Sequence, residues 1–295
     1  MHILMIGGTG FIGPRVAKQL LDRGHDLTLF HRGCHEAALP ASVRHIRSPD
    51  AAMPIVNFPP HLLKESFVAV VHMIPMGESD ARSAVHAFAG RTQHLIALSS
   101  GDVYRAYGRF TGIEPGPPDE GLLTEDSPLR TQLYPYRAQA KSHEDLSYYY
   151  EKILVERELR EQASLPVTIL RLPKVYGPGN NSDLATVYAY RDQPRWRWTH
   201  GYVENVAAAI TLVAISPGTS HRVYNVGEAY TPTIAERLSS LPSSTVPTAE
   251  SKGYDFRHHI AYDTTRIRTE LGYSEPVSYQ EGLTRTLETA QDRAV

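Results

Sequence analysis

From its first residues the chain alternates short apolar runs of strand length with segments of helical periodicity. His2-Ile3-Leu4-Met5-Ile6 is the first run, and a glycine-rich turn follows at once. Beyond the turn, Phe11, Ile12, Val16, Leu20 and Leu21 recur at near-helical spacing until Arg23-Gly24 closes the helix. Strands are predicted over 26–30 and, more briefly, over 43–46. The strongly apolar stretch 67–74 predicts a buried parallel strand, followed by a helix over 79–90 and a strand over 94–98. Residues 143–162 predict one long helix, with Leu146, Tyr149, Tyr150 and Ile153 at i, i+3, i+4 and i+7, and 167–171 another buried strand. This alternation predicts an α/β fold on a doubly wound parallel sheet, whose ligands bind beyond the carboxyl ends of the strands.

Two stretches interrupt the pattern. Pro49, Pro54, Pro59 and Pro60 argue against a long crossover helix, so one helix of the series is shortened or lost. Residues 105–143, with Gly112, Pro115, Gly116, Pro117 and Pro118, predict a long irregular excursion that covers the substrate side. The remainder predicts a turn at 177–181, helices over 203–215, 233–241, 264–271 and 278–291, a strand over 222–226 and a flexible linker over 239–251.

The first turn carries the clearest chemistry. Gly8, Gly10 and Gly13 fit G-x-G-x-x-G, and Gly7, Gly10 and Gly13 fit G-x-x-G-x-x-G, with a strand before and a helix after. Glycines there let the backbone approach a pyrophosphate whose charge faces the helix N-terminus, so the turn predicts a bound dinucleotide. At the end of the second strand a carboxylate would bond a ribose 2′-hydroxyl, whereas an arginine accommodates a 2′-phosphate. The chain has His31-Arg32-Gly33 there, which favours NADP over NAD, with Arg32 as clamp and His31 as helper. The strand over 94–98 runs into Ser99 and Ser100, whose hydroxyls stand at a strand end facing such a site. Tyr148 and Lys152, four apart in the predicted long helix, form a Tyr-x-x-x-Lys pair.

Composition narrows the setting. The chain has 295 residues, enough for one large α/β domain or such a domain with a small lobe. At 41% hydrophobic and 21% charged, with formal net charge −2, it predicts neither general nucleic-acid affinity nor, without a run of 18 apolar residues, a membrane span. The N-terminus enters a strand with no secretory pattern, so cytoplasm is the expected location. The single cysteine, Cys34, reads as a loop thiol. The histidines show no ligand spacing, so no metal is expected, and His200 reads as a polar strand residue.

Several motifs in register resemble a known family. Gly-Gly-Thr-Gly-Phe-Ile-Gly at 7–13, Ser-Ser-x-x-Val-Tyr at 99–104, Tyr-x-x-x-Lys-x-x-x-Glu at 148–156 and Arg-Leu-Pro-x-Val-Tyr-Gly-Pro-Gly at 171–179 are similar to an extended short-chain dehydrogenase/reductase of the NAD-dependent epimerase/dehydratase type. Trp198 to Ala207, Tyr224-Asn225-Val226-Gly227, Thr231-Pro232-Thr233 and Leu271-Gly272-Tyr273 follow in the family's order. The resemblance implies a Rossmann domain mainly over 1–172 and a small C-terminal substrate-binding lobe mainly over 173–295, with some segments returning to the sheet.

It also implies a hydride-transferring enzyme, whether reductase, epimerase or dehydratase, acting on a small or sugar-like molecule such as a sugar nucleotide. Cofactor contacts would come from Gly7, Gly8, Thr9, Gly10, Phe11, Ile12, Gly13, His31, Arg32, Ser99, Tyr148, Lys152, Pro173 and Val175. Tyr148 would be the acid–base group, its phenol brought toward working pH by Lys152, and Ser100 would orient the substrate oxygen. Asp102 is either a second acid, as in dehydratases, or a turn cap, and Glu156 reads as structural. A homodimer through the helix carrying Tyr148 is a further implication. The rival reading is a catalytically silent NAD(P)-binding regulatory or RNA-associated protein. Its mark would be loss of the tyrosine or lysine, and both are present. Departures from the family pattern are His31-Arg32 in place of an acid, the short 182–197 segment and the apolar wall Met73-Ile74-Pro75-Met76.

Overall fold

The computed structural model describes residues 1–34, 38–48, 50, 52–179, 182–250 and 253–291. The first half runs β1 (His2–Ile6), α1 (Gly13–Asp22), β2 (Asp26–His31), β3 (Arg44–Arg47), β4 (Phe67–His72), α2 (Glu78–Phe88), β5 (Thr92–Ser100) and α3 (Arg105–Phe110). There follow α4 (Leu146–Tyr149), α5 (Lys152–Glu161), β6 (Val167–Leu172), β7 (Lys174–Tyr176), α6 (Ser182–Ala189) and β8 (His200–Tyr202). The chain ends with α7 (Val203–Ile215), β9 (Arg222–Asn225), α8 (Ile234–Ser239), α9 (Thr265–Leu271) and α10 (Tyr279–Gln291). Pro49 of the proline cluster, residues 180 and 181 of the predicted turn and residue 251 of the predicted linker lie outside the described residues.

The chain divides into two compact units. Met1–Ser100, Leu133–Arg171 and Ala207–Tyr224 form the first, and Gly101–Gln132, Leu172–Val206 and Asn225–Val295 the second. The first is built on a seven-stranded sheet of order β3-β2-β1-β4-β5-β6-β9, the doubly wound arrangement. Pairs β2·β3, β1·β2, β1·β4 and β4·β5 are parallel, with Ile6 registered to Phe30 on one side and to His72 on the other. Strand order therefore reverses at β1, and the carboxyl end of β1 is where the glycine turn begins. Leu4, Ile6, Val70, Leu95 and Ala97 on one face of the sheet pack with Ala84 and Phe88 of α2 and with Val155 and Leu159 of α5. The prolines act as the sequence suggests: among the described residues between β3 and β4 the helical structure is one 3-10 turn, Leu62–Lys64.

Two segments differ from expectation. The stretch over 105–143 is not irregular throughout, since α3 opens it and buried polar groups fix its path. Glu114 accepts hydrogen bonds from the Thr131 amide and hydroxyl and from the Gln132 amide, while Arg130 donates to the carbonyls of Asp102 and Gln132. Gly108 hides α3 from a periodicity search, yet a β-carbon there would press within 3.0 Å of Arg130 Cγ. The predicted helix over 143–162 is two helices. Tyr150 (φ −62°, ψ 116°) and Glu151 (φ −156°, ψ 99°) are extended between α4 and α5. Each helix has its own acidic cap, Asp145 accepting from the Ser147 amide and Glu151 from the Ile153 amide. Glu151 also accepts from the Tyr134 amide, which anchors the break to a distant loop.

In the second unit β7 and β8 pair in parallel, Lys174 to His200 and Tyr176 to Tyr202. Phe110, Trp196, Trp198, Tyr254 and Phe256 form an aromatic cluster, with Phe110 stacked on Trp196 at 4.8 Å and on Tyr254 at 4.9 Å. Among the described residues no helix is long and apolar enough to cross a membrane.

Candidate functional site

The glycine turn is shaped by what stands on each side of it. Gly7 donates its amide to the Phe30 carbonyl at 2.8 Å, and Gly7 and Gly8 take φ of 84° and 97°, a region that disfavours side chains. A β-carbon on Gly13 would fall inside the van der Waals shell of the Gly8 carbonyl, so α1 can start this close to the turn only with glycine there. Gly10 is different: among the described residues nothing lies within 4 Å of where its β-carbon would be. Its open side is the space a pyrophosphate needs, with Thr9, Phe11 and Ile12 half-buried around it. The end of α1 suits an anion, having no side-chain cap and no acid in its first turn among the described residues. Arg15 lies beside it, its guanidinium 4.9 Å from the centroid of the Phe11 ring. These residues fit a dinucleotide phosphate.

At the far end of β2, His31 and Arg32 have different surroundings. His31 is turned into the fold: Gly33 donates its amide to Nδ1 at 3.2 Å, and Nε2 meets His45 Nδ1 at 3.0 Å. Burial, and then the neighbouring His45 and Arg47, lower its pKa, so it adds no charge at neutral pH. His31, expected as a phosphate helper, thus has both ring nitrogens engaged within the fold. Arg32 is half-buried and makes no hydrogen bond or ion pair among the described residues. A second guanidinium, missed in the sequence, stands beside Gly33. The β2·β3 register sets Arg47 beside His31, and its side chain lies 3.5 Å from where a Gly33 β-carbon would be.

Lys152 occupies the carboxyl ends of β4 and β5. It is buried, and Nζ donates to the Leu98 carbonyl at 3.0 Å and to the Pro75 carbonyl. His72, at the end of β4, is also buried, and among the described residues neither ring nitrogen has a hydrogen-bond partner. Burial first, and the Lys152 charge second, drop its pKa to about 3, so it stays neutral beside the ammonium. Ser99 and Ser100 point to opposite sides of the strand. Ser99 donates to Glu156 at 2.6 Å, and Glu156 is gripped by Arg171 through bonds of 2.9 and 2.7 Å, all three being buried. Ser99 thus ties β5 to α5 through Glu156. Ser100 is half-buried at the strand end.

Tyr148 is not one helical turn from Lys152, because the helix is broken between them. Its ring stacks on His143 at 4.2 Å and lies 4.5 Å from the Arg137 guanidinium. The phenol whose ring meets Lys152 is Tyr150, 5.5 Å from Nζ to the ring centroid.

The other expected residues lie in the second unit. Asp102 is buried in the 3-10 turn Gly101–Val103. Pro173 packs where β-carbons on Gly201 or Gly227 would crowd it, at 2.9 and 3.5 Å. Val175 sits mid-strand in β7, between Lys174, whose ammonium lies 4.4 Å over the Trp198 ring, and Tyr176. His200 bonds the Trp198 carbonyl at 2.7 Å, as a polar strand residue would. This unit also holds a cavity of about 390 Å³ walled by Tyr176, Tyr202, Tyr273, Tyr279 and Glu228. Burial raises the Glu228 pKa against the pull of Arg237. No sequence signal marks this cavity, because its walls come from separated segments.

No family model matches the chain. A dTDP-glucose 4,6-dehydratase of Streptomyces niveus is 27% identical over 99% of this chain and 93% of its own. The Bordetella bronchiseptica enzyme WbmG, solved in complex with NAD, superposes with a TM-score of 0.72 at 18% identity, covering 99% of this chain and 94% of its own. A UDP-glucose 4-epimerase of Thermotoga maritima, solved with UDP-glucose, gives a TM-score of 0.69 at 17% identity over the whole of both chains. The chain is thus similar over nearly its whole length to a dTDP-glucose 4,6-dehydratase and shares the fold of these two solved structures.

Proposed function

We propose that the protein is an NAD(P)-dependent enzyme that moves hydride at a hydroxyl-bearing carbon of a sugar or sugar nucleotide. The observation that carries this reading is Lys152, a buried ammonium fixed by main-chain carbonyls at the end of β5 and just beyond β4, the strand that pairs with β1 on the side away from β2. Buried lysines are costly unless held for a purpose, and this one stands where a nicotinamide end would lie. When bound, the nicotinamide supplies hydride acceptance and return. The chain's own residues do the rest. The turn amides and the N-terminus of α1 hold the pyrophosphate, Arg32 and Arg47 face the ribose 2′ position and favour NADP, and Ser100 donates to the substrate oxygen. Lys152 stabilises the phenolate form of a tyrosine in the run preceding it, which lets that phenol exchange a proton near neutral pH. Asp102 is the candidate for protonating a leaving hydroxyl if the outcome is dehydration.

The dehydratase relative and the epimerase of the same fold support a sugar nucleotide as substrate class. The test is incubation with UDP- and dTDP-hexoses and each oxidised dinucleotide, followed by absorbance at the reduced-nicotinamide band and by proton NMR of the sugar. A new sugar nucleotide, formed with or without net reduction of cofactor, is expected. No change in any sugar by a protein that binds the dinucleotide would favour the silent binding protein instead.

A further inference from the structure

The cavity of about 390 Å³ in the second unit has no part in the hydride transfer proposed above. Its walls are tied to one another before any ligand arrives. Asn205 Nδ2 donates to the Val277 carbonyl at 2.8 Å, the Val277 amide donates back to Asn205 Oδ1 at 2.9 Å, and the Tyr273 hydroxyl donates to the Asn205 carbonyl at 3.1 Å. Ala229, Tyr230 and Ser278 line the cavity and are exposed, so they form its mouth, while Val206, Pro232 and Val277 give it apolar surface. Tyr176 also lines it and is 2% exposed, and among the described residues its phenol makes no hydrogen bond. Buried polar groups are ordinarily hydrogen-bonded, so this phenol has a bonding position to offer a ligand.

The charge around the cavity selects what can enter. Among the described residues two carboxylates, Glu228 and Glu275, line it, and no lysine, arginine or histidine does. Arg237 and Arg268 pair with these carboxylates without lining the cavity, and Glu228 accepts a further bond from the His200 amide at 2.9 Å. Burial first, and Glu228 second, raise the Tyr176 pKa, so the phenol stays neutral near that carboxylate. A phosphate would meet carboxylate and phenol oxygens with no side-chain cation facing it, which sets this space apart from a dinucleotide or sugar-nucleotide site. An ammonium would meet hydrogen-bond acceptors and phenol rings, both of which attract it. We infer that the cavity binds a small organic amine with an apolar or aromatic body, the ammonium donating to the Tyr176 hydroxyl and the Glu228 carboxylate and the body lying against Val206, Pro232 and Val277. Mostly apolar walls with a few converging polar groups suit a ligand of that kind.

The experiment is isothermal titration with probes that share one body and differ in charge: phenethylamine, phenethyl alcohol and hydrocinnamate. Phenethylamine should bind wild type at one per chain, about tenfold or more tighter than the neutral alcohol or the anionic hydrocinnamate. Tyr176→Phe should weaken the amine about fivefold or more. Ala229→Trp, a change at the exposed mouth, should abolish its binding by covering the entrance. Both variants should keep the wild-type urea midpoint and bind dinucleotide within about twofold of wild type, which separates loss of the site from loss of the fold. Equal binding of amine and alcohol, or wild-type amine affinity in either variant, overturns the assignment. Displacement of the amine by UDP-glucose overturns it as well and joins the cavity to the sugar-nucleotide site. A wild type that binds dinucleotide but not the amine overturns the assignment and leaves the enzyme reading standing.

Discussion

Gly13 and Gly8 touch so closely that no β-carbon fits on Gly13 beside the Gly8 carbonyl, whereas Gly10, three residues earlier, faces open space. The two glycines therefore answer different questions. Gly13→Ala should destabilise the fold by overpacking, by about 1–3 kcal/mol, with dinucleotide affinity lost along with it. Gly10→Ala should unfold at the wild-type denaturant midpoint and still lose dinucleotide affinity, because only the ligand occupies that space. Urea unfolding and cofactor titration on the pair check both halves.

Arg32 and Arg47 give a prediction about cofactor choice. Each guanidinium near a 2′-phosphate contributes a charge-assisted bond of about 1.5–3 kcal/mol. Arg32→Ser and Arg47→Ser should each weaken NADP(H) binding about tenfold or more and leave NAD(H) binding within about twofold. Dissociation constants for both dinucleotides measure this directly. A change shared equally by NADP(H) and NAD(H) would remove the arginines from the 2′ position.

The buried pair of Glu156 and Arg171 gives a stability prediction. Glu156→Gln leaves the Arg171 guanidinium, 1% exposed, without its countercharge, and should cost about 3–5 kcal/mol in urea unfolding. The double change Glu156→Leu with Arg171→Met should cost less than Glu156→Gln alone. A loss under 1 kcal/mol in the single variant would show that the pair is not the strap between α5, β5 and β6 described above.

His72 predicts an acid limb. Its pKa lies at about 3 in the fold against 6.5 in the unfolded chain, so the unfolded state takes up a proton that the folded state refuses. Its contribution is therefore intact above pH 6.5 and lost as pH falls toward 3. From pH 7 to pH 5 this amounts to about 2 kcal/mol of lost stability. His94, held at about 4 by burial and by His221, adds in the same direction. His72→Met should lose about 2 kcal/mol less than wild type over that interval, as read from urea midpoints at the two pH values.

The parts legible in the sequence are those written in contiguous residues. The turn over 7–13 carries its strand, glycines and helix in one segment, and the prolines before β4 announce the missing crossover helix. The break at Tyr150 and Glu151 is not legible, because the second hydrogen bond to Glu151 comes from the Tyr134 amide and two extended residues do not erase the 3.6-residue periodicity around them. Arg47 is hidden for a similar reason: only the parallel register of β2 and β3 sets it beside His31. Ser99 and His31 carry the right chemistry in the right place along the chain, yet their partners Glu156 and His45 turn them inward.

The most direct measurement is isothermal titration of the protein, freed of any cofactor retained from purification, with NADPH, NADP, NADH and NAD. Saturable binding of one dinucleotide per chain is predicted, tighter for NADP(H) than for NAD(H). If none of the four binds, the glycine turn is not a dinucleotide site and the account of the protein as a hydride-transferring enzyme is contradicted.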